Sequence, residues 1–353
     1  MANSSRTRRH WSALTAGCAA IALWPASGLA ETNAADIVLQ SGFDHIGAEV
    51  HMLEHDGREL FYIDEGDEDW RPVVFIGGLG TSLAAFQLTE FARSSRETLG
   101  LRMISVERNG FGASAFDPTR GYTGYTEDVL AVLEDLGVEE FSILAISGGG
   151  AFAAHLAAAV PDRVISLHAA AAVAWTLPTR SEIDCTRSLE DWNDANERWT
   201  HNPMDWWGVP GSPVLVVPGW QSAAYADATR AFYLGGQRGD PGALSREFTQ
   251  RCDADAVVDA SRISAPVYLY WGDEDTSVPL SVMEEWQEAV PEVRKARVYE
   301  GAGHTVQYEH WVQIMADMAG YDDHTVVCRD GETRLVPEDE AADLPRDLCA
   351  WHN

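Results

Sequence analysis

Ser147 is the residue of this sequence whose surroundings favour nucleophilic chemistry. It lies in residues 145–149, Ala-Ile-Ser-Gly-Gly, between an apolar run that predicts a strand and an alanine-rich segment that predicts a helix. A serine on a sharp turn from a strand into a helix exposes its Oγ, and only small neighbours fit around that turn. The segment follows the pattern G-x-S-x-G with Ala145 at the first glycine. A glycine-rich connection with an incidental serine would have the same pattern, so the assignment needs partners.

A nucleophilic serine requires a general base, and the base requires an acid that orients it. Residues 301–304 (GAGH) follow a predicted strand and end in His304, for which an ordinary loop histidine is the alternative. Residues 272–279 (GDEDTSVP) follow another predicted strand and contain Asp275, with Asp273 as the alternative acid. The residues occur in the order Ser, Asp, His. We therefore predict that Ser147 and His304 act together with one of these two acids.

The elements that must position these residues alternate between strand and helix. The sequence predicts a β-hairpin over 49–66, strands over 71–76, 101–106, 141–146, 163–171, 266–271 and 296–299, and helices over 126–136, 151–160, 280–289 and 306–318. This alternation is typical of an α/β protein with a mostly parallel sheet and helices on both faces. It stops between residues 175 and 263, which predicts a helical cap inserted into a core of residues 31–174 and 264–320. Residues 321–353 form a C-terminal tail.

Four motifs on these elements together resemble the α/β-hydrolase superfamily, in its serine branch of esterases and lipases. Besides the serine, acid and histidine motifs, residues 107–114 (ERNGFGAS) are similar to the family's D-R-x-G-x-G-x-S turn, which is more often structural than catalytic. The resemblance spans residues 50–320. It implies the α/β-hydrolase fold, with flanking helices and the inserted cap. It also implies a triad of Ser147, Asp275 and His304, because residues 272–279 match the family's G-x-x-D-x-x-x-P acid loop and residues 301–304 its G-x-x-H histidine loop.

The resemblance also implies an oxyanion hole with two N–H donors. The first is the N–H of Gly148, the residue after the nucleophile. The second is the N–H of Leu79, in residues 77–80 (GGLG), where the family usually has His-Gly-x and this sequence has Gly77 instead of the histidine. These glycines do not indicate a dinucleotide site, because Leu83 occupies the position of the third glycine of that motif.

The implied reaction is acyl transfer from a small-molecule ester through an acyl-enzyme, with His304 as general base and then general acid. It requires no metal and no organic cofactor. Aminopeptidase-like, acyltransferase and perhydrolase activities on the same triad are alternatives, and acidic cap residues could hold a substrate amine. A non-catalytic binding module is a further alternative, although such a protein would be expected to have lost a triad residue. Epoxide hydrolases and haloalkane dehalogenases carry Asp where Ser147 stands.

Substrate selection is expected in the cap. Leu189, Trp192 and Trp199 share one face of a predicted helix there. They either line an apolar substrate pocket or pack the cap onto the sheet.

Residues 1–30 resemble an export signal. Three arginines precede a mostly apolar segment over 11–26, and residues 28–30 (GLA) form a small-x-small cleavage site. Arg8 and Arg9 partly resemble a twin-arginine signal, with Trp11 where that pattern usually has Phe. The apolar segment is shorter than the roughly 20 residues of a membrane span. We therefore expect a secreted or periplasmic protein without stable membrane insertion after cleavage.

Charge and cysteine usage agree with export. The formal net charge of −30 disfavours binding to nucleic acid and to anionic membranes. Removal of the signal leaves four cysteines, and an even number in an exported protein predicts two disulfides. Three pairings are possible. We expect Cys185–Cys252 within the cap and Cys328–Cys349 within the tail, because these need no long-range threading; four free thiols in a cytosolic enzyme are the alternative.

Overall fold

The computed structural model describes residues 33–40, 42, 44, 48–177, 185–201 and 240–352. The predicted signal peptide and residues 202–239 of the predicted cap lie outside the described residues. The side chain of Trp199 is also outside the described part. Among the described residues, no helix has the length and hydropathy of a membrane span.

The secondary structure of the described residues alternates as predicted, with additional elements near both ends and a short additional helix over Arg93–Thr98. The strands are β1 (Val38–Leu39), β2 (His51–His55), β3 (Arg58–Glu65), β4 (Arg71–Ile76), β5 (Leu101–Val106), β6 (Phe141–Ile146), β7 (Val164–Ala170), β8 (Val267–Gly272), β9 (Val293–Tyr299), β10 (His324–Arg329) and β11 (Glu332–Pro337). The α-helices are α1 (Arg93–Thr98), α2 (Tyr122–Asp135), α3 (Gly149–Ala159), α4 (Leu189–His201), α5 (Pro241–Thr249), α6 (Leu280–Ala289), α7 (Val306–Glu309) and α8 (Trp311–Met318).

Eight strands form the central sheet, in the order β2-β3-β5-β4-β6-β7-β8-β9. β3 is antiparallel to β2 and to β5, and all other neighbours are parallel. Parallel neighbours need crossover connections, which the helices provide. The prediction of a mostly parallel sheet with flanking helices is confirmed.

The inner strands of the sheet are buried on both faces, which explains why they are mostly apolar, whereas the edge strands β2 and β9 are only partly buried. Val73, Val74, Phe75 and Ile76 of β4 are all buried, yet they alternate between two hydrophobic clusters. One cluster includes α2, α3 and α6, and the other includes α8 and the segment before β5. Successive strand residues point to opposite faces, so a strand covered on both sides is apolar throughout.

The chain between β7 and β8 contains α4 and α5, which pack against each other. The Trp192 ring of α4 stacks on Phe248 of α5 with 4.5 Å between centroids. Asn196 donates a hydrogen bond to Ser245 across the same contact (3.3 Å). The predicted Cys185–Cys252 disulfide is present and joins the chain before α4 to the turn after α5.

The C-terminal tail forms a hairpin of β10 and β11, and β11 also pairs with β1. Val326 and Leu335 of this small sheet pack in the same cluster as α8. The predicted Cys328–Cys349 disulfide is present. The tail therefore obtains its buried surface from the core.

The predicted helix over 306–318 is in fact two helices, α7 and α8, with a break at His310. The His310 ring stacks on Tyr299, with 3.5 Å between centroids, and its Nδ1 contacts Asp347 Oδ2 at 2.7 Å. Both partners lie outside the helix, so tertiary contacts fix the break and the 3.6-residue periodicity could not reveal it.

Candidate active site

Three loops at one edge of the sheet carry the predicted triad. Ser147 follows β6, Asp275 follows β8 and His304 follows β9. These strands are parallel and lie in the order β6-β7-β8-β9, so their carboxyl ends meet at the same edge. The sheet topology brings together residues that are far apart in sequence.

The turn at Ser147 is sharp and sterically crowded. Ser147 has a φ of 49°, in the left-handed region that disfavours side chains. A Cβ on Gly149 would lie 2.5 Å from the carbonyl oxygen of Ile76, and one on Gly150 would lie 2.4 Å from that of Val173. The strained residue is held by its neighbours, because its carbonyl accepts hydrogen bonds from the N–H groups of Gly150 and Val173. The strand-to-helix turn inferred from the sequence is therefore present, and its two glycines are required by close backbone approach.

The three side chains form a continuous chain of contacts. His304 Nε2 lies 3.1 Å from Ser147 Oγ, and His304 Nδ1 lies 2.8 Å from Asp275 Oδ2. The other Asp275 oxygen accepts hydrogen bonds from the N–H groups of Ser277 and Val278, at 2.8 and 2.9 Å. An ionised carboxylate only accepts, so Nδ1 of a neutral ring carries the proton and Nε2 is left to accept the Ser147 hydroxyl proton. This is the arrangement that general-base activation of a serine requires.

Asp273, the alternative acid, has a different contact. Its Oδ1 accepts a hydrogen bond from the Gly301 N–H at 2.7 Å and so ties the loop after β8 to the loop that carries His304. The residue that contacts the imidazole is Asp275.

The two predicted oxyanion donors lie side by side next to Ser147. The Leu79 nitrogen is only 2.6 Å from the position that a Cβ on Gly148 would occupy, so this approach requires a glycine there. A Cβ on Gly78 would lie 3.4 Å from the Ser147 Cβ. In the described part of the chain, no hydrogen bond uses the N–H of Leu79 or of Gly148. Both groups can donate to an oxygen that develops charge near Ser147.

The cap residues predicted to select substrate are only partly described. The Trp192 ring stacks on Phe248, and the Arg187 guanidinium lies 4.4 Å from its centroid. These contacts are internal to the region around α4 and α5. A substrate-binding role for Trp192 and Trp199 stays a prediction.

The structure contains a group of buried charges in contact with residues 77–81, which the sequence did not indicate. Arg108 lies between Glu107 and Glu247, and all three are nearly inaccessible to solvent. Burial raises the pKa of the Glu107 carboxyl to about 7 and also raises the pKa of Glu247. The first two residues belong to the ERNGFGAS motif, which was interpreted only as a structural turn. Glu247 lies on α5 and carried no recognisable signal.

Within the described residues, no group of three or more His, Cys, Asp or Glu side chains could hold a metal ion.

Comparisons with known proteins agree with this fold. A family model described as the alpha/beta hydrolase fold matches residues 71–209. A non-heme chloroperoxidase from Streptomyces lividans is 25% identical over 270 residues, covering 75% of this chain and 96% of the relative.

Two solved structures share the fold at lower identity. A bromoperoxidase from Bacillus anthracis is 22% identical with a TM-score of 0.58, covering 76% of this chain and 98% of that one. An epoxide hydrolase from Vigna radiata is 17% identical with a TM-score of 0.60, covering 77% of this chain and 98% of that one. These names span several chemistries, so the reaction must be inferred from the site.

Proposed function

We propose that this chain, which matches an alpha/beta hydrolase family model over residues 71–209, is a serine hydrolase that cleaves esters through an acyl-enzyme. The observation that carries the proposal is the chain of contacts from Asp275 through His304 to Ser147, at 2.8 and 3.1 Å. A serine stands where epoxide hydrolases carry an aspartate. The attacking group is therefore a hydroxyl that needs the base beside it.

The proposed reaction has two halves. In the first, His304 Nε2 accepts the Ser147 proton while Oγ attacks the ester carbonyl, and the N–H groups of Leu79 and Gly148 stabilise the oxyanion. The imidazolium then protonates the leaving alcohol, and the acyl group stays on Ser147. In the second half, His304 accepts a proton from water, the resulting hydroxide attacks the acyl-enzyme, and the acid leaves as Ser147 regains its proton. Asp275 stabilises the imidazolium throughout.

Labelling with a fluorophosphonate probe tests the nucleophile directly. We expect the purified protein to gain one probe mass, with the modified peptide containing Ser147, and Ser147→Ala to gain none. A second experiment compares p-nitrophenyl esters of increasing acyl length with p-nitroanilides of single amino acids. Faster turnover of the esters supports the proposal. Labelling at a different serine, or faster turnover of the anilides, contradicts it and, in the second case, favours the aminopeptidase alternative.

A perhydrolase is the second candidate, because two of the three proteins described above, the chloroperoxidase and the bromoperoxidase, carry peroxidase names. Hydrogen peroxide would replace water as the group that attacks the acyl-enzyme, with His304 accepting its proton, and a peracid would leave as Ser147 regains its proton. Peracid formed from an ester and peroxide, measured against the acid formed in water, separates the two. If peracid forms faster than acid at equal low peroxide and ester concentrations, the perhydrolase is favoured.

We also propose that the protein is exported, with residues 1–30 as its signal. Both disulfides support this, since disulfides persist in oxidising compartments. Intact-mass measurement of the exported protein should give a chain that begins at Glu31 and has no alkylatable thiol. Four alkylatable thiols would contradict the proposal.

A further inference from the structure

The side chain of Arg108 reaches from the end of β5 to the loop of residues 77–81, here called the oxyanion loop. Its Nη1 donates to the carbonyl of Gly77 at 3.3 Å, and its Nη2 donates to those of Gly78, at 2.5 Å, and Thr81. The guanidinium also lies 5.1 Å from the ring centroid of Phe152 on α3. One buried cation therefore gathers three carbonyl groups of the loop on one side.

Glu247 reaches the same loop from α5. Its Oε1 forms an ion pair with Arg108 Nε at 3.1 Å, and both side chains are only 5% exposed. Its Oε2 accepts a hydrogen bond from the Gly80 N–H at 2.7 Å. The Leu79 side chain packs against a cluster formed by Phe111 and by residues of α5. Helix α5 thus contacts the oxyanion loop through a charge, a hydrogen bond and apolar packing.

These contacts fix the backbone on both sides of the Leu79 N–H. The carbonyls of Gly77 and Gly78 are taken up by Arg108, and the Gly80 N–H is taken up by Glu247. The Leu79 nitrogen lies between them, beside Gly148. Rotation of either peptide unit next to the Leu79 N–H would break one of these hydrogen bonds.

We propose that Glu247 and Arg108 are positioning residues of the oxyanion hole, through which the inserted helix α5 sets the geometry of the Leu79 N–H. The inference rests on the proposed function and extends it, because it makes α5 part of the catalytic geometry. Neither residue touches the reacting atoms. Both are expected to affect the transition state through the loop.

Two variants and one matched control test the proposal. Glu247→Leu removes both contacts to the loop, and Glu247→Gln keeps an oxygen for the Gly80 N–H but removes the ion pair. Arg246→Gln is the control, because Arg246 neighbours Glu247 on α5, is also buried and also joins α5 to the core, through the Arg120 carbonyl at 3.1 Å. It makes no contact with the oxyanion loop among those described. The melting temperature of each variant reports on folding.

The kinetic probe is p-nitrophenyl acetate, and the second readout is inhibition by an alkyl trifluoromethyl ketone, to which Ser147 adds to give a tetrahedral oxyanion. Removal of one oxyanion donor typically costs 10²–10³ in kcat, so we expect kcat to fall about 100-fold in Glu247→Leu and about 10-fold in Glu247→Gln. The KM should change less than about threefold in both, because the ground state uses the hole little. The ketone's inhibition constant should rise by the same factor as kcat falls. Arg246→Gln should retain kcat within about threefold of the wild type, even if its melting temperature falls as far as those of the Glu247 variants.

The outcomes separate this inference from the proposed function. If the wild-type protein neither turns over the ester nor reacts with a fluorophosphonate, the proposed function fails and the positioning role fails with it. If the wild type is active but Glu247→Gln and Arg246→Gln lose equal kcat, or the loss appears in KM with an unchanged ketone constant, the positioning role alone is overturned. Should Glu247→Leu fail to fold, the ratio between Glu247→Gln and Arg246→Gln decides.

Discussion

The triad and the oxyanion loop occupy the same site but are held in place in different ways. Each triad residue follows a strand of the central sheet, so the sheet alone brings Ser147, Asp275 and His304 together. The oxyanion loop also follows a strand, β4, but its peptide groups are fixed by Arg108 and by Glu247 from the insertion. The sheet edge can therefore position the nucleophile and its base without α5, whereas the proposed oxyanion hole depends on α5.

The largest expected effect concerns the triad, which the sheet holds in place. Replacing Ser147 by alanine removes the attacking atom while leaving a small side chain in the turn, so we expect kcat to fall by about 10⁴-fold or more with little change in melting temperature. Stopped assays with p-nitrophenyl acetate measure the loss. Ser277→Ala, at an exposed serine near the acid, is the control and should retain activity. A Ser147→Ala protein with a tenth of the wild-type rate would remove Ser147 from the mechanism.

Replacement of the acid provides the next test of the triad. Asp275→Asn replaces a carboxylate that accepts from His304 Nδ1 by an amide that can favour the wrong tautomer, so we expect a loss in kcat of about 10³- to 10⁴-fold. Asp273→Asn keeps an oxygen for the Gly301 N–H and should cost less than about tenfold. Initial rates of the two variants give the ranking. The reverse ranking would transfer the acid role to Asp273.

The two disulfides should both stabilise the fold but should differ in their effect on activity. Chain-entropy arguments give upper values of about 4 kcal/mol for Cys185–Cys252 and about 3 kcal/mol for Cys328–Cys349, which close loops of 67 and 21 residues. Pairwise replacement by alanine should lower the free energy of unfolding in both cases, as measured by urea titration. Only the first pair should also lower kcat, because it secures the segment that carries α5. An equal effect of both pairs on kcat would show that the oxyanion loop does not depend on the insertion.

The smallest expected effect is a pH dependence of stability at Glu107. Burial raises its pKa from 4.5 to about 7, so between these values the folded state binds more protons than the unfolded state. The free energy of unfolding should therefore fall as pH rises through this window, by at most about 3 kcal/mol. The variant Glu107→Gln has no carboxyl that titrates at this position, so its stability should lack this pH dependence. It keeps an oxygen that can accept from the Leu83 and Arg108 N–H groups.

The measurement is a urea titration of the wild type and of Glu107→Gln at pH 5 and pH 8. We expect the stability of the variant relative to wild type to increase between the two pH values. Glu97→Gln, at an exposed carboxyl, should show a constant difference. A constant difference for Glu107→Gln as well would mean that the Glu107 carboxyl is ionised throughout.

Local signals explain how much of this molecule could be predicted from its sequence. The first hairpin follows from turn chemistry, since Asp56 and Gly57 adopt positive φ values of 50° and 74° between two alternating strands. The turn at Ser147 and the triad likewise depend on residues within a few positions of a strand end. Their relative placement follows from the parallel order of the sheet, which alternation of strand and helix predicts.

What could not be predicted depends on contacts between distant segments. The Gly80–Glu247 hydrogen bond joins residues 167 positions apart, and no periodicity in either segment marks it. The break at His310 is similar, because its partners, Tyr299 and Asp347, belong to β9 and to the tail. In both cases a buried or partly buried polar group contacts a partner from another element, and the identity of that partner is a property of the packing.

The pairing of β1 with β11 has a consequence for the order in which the chain can fold. Val38 lies opposite Arg334 in the small antiparallel sheet, so one of its strands is made early in synthesis and its partner about 300 residues later. Until the last segment emerges from the ribosome, the backbone N–H and C=O groups of β1 have no partner strand. The eight-stranded sheet, complete at β9, can form first and offers α8 as the surface onto which the hairpin of β10 and β11 then docks. Pairing of β1 with β11 would then follow assembly of the eight-stranded sheet, so that the beginning of the described chain is captured by its end.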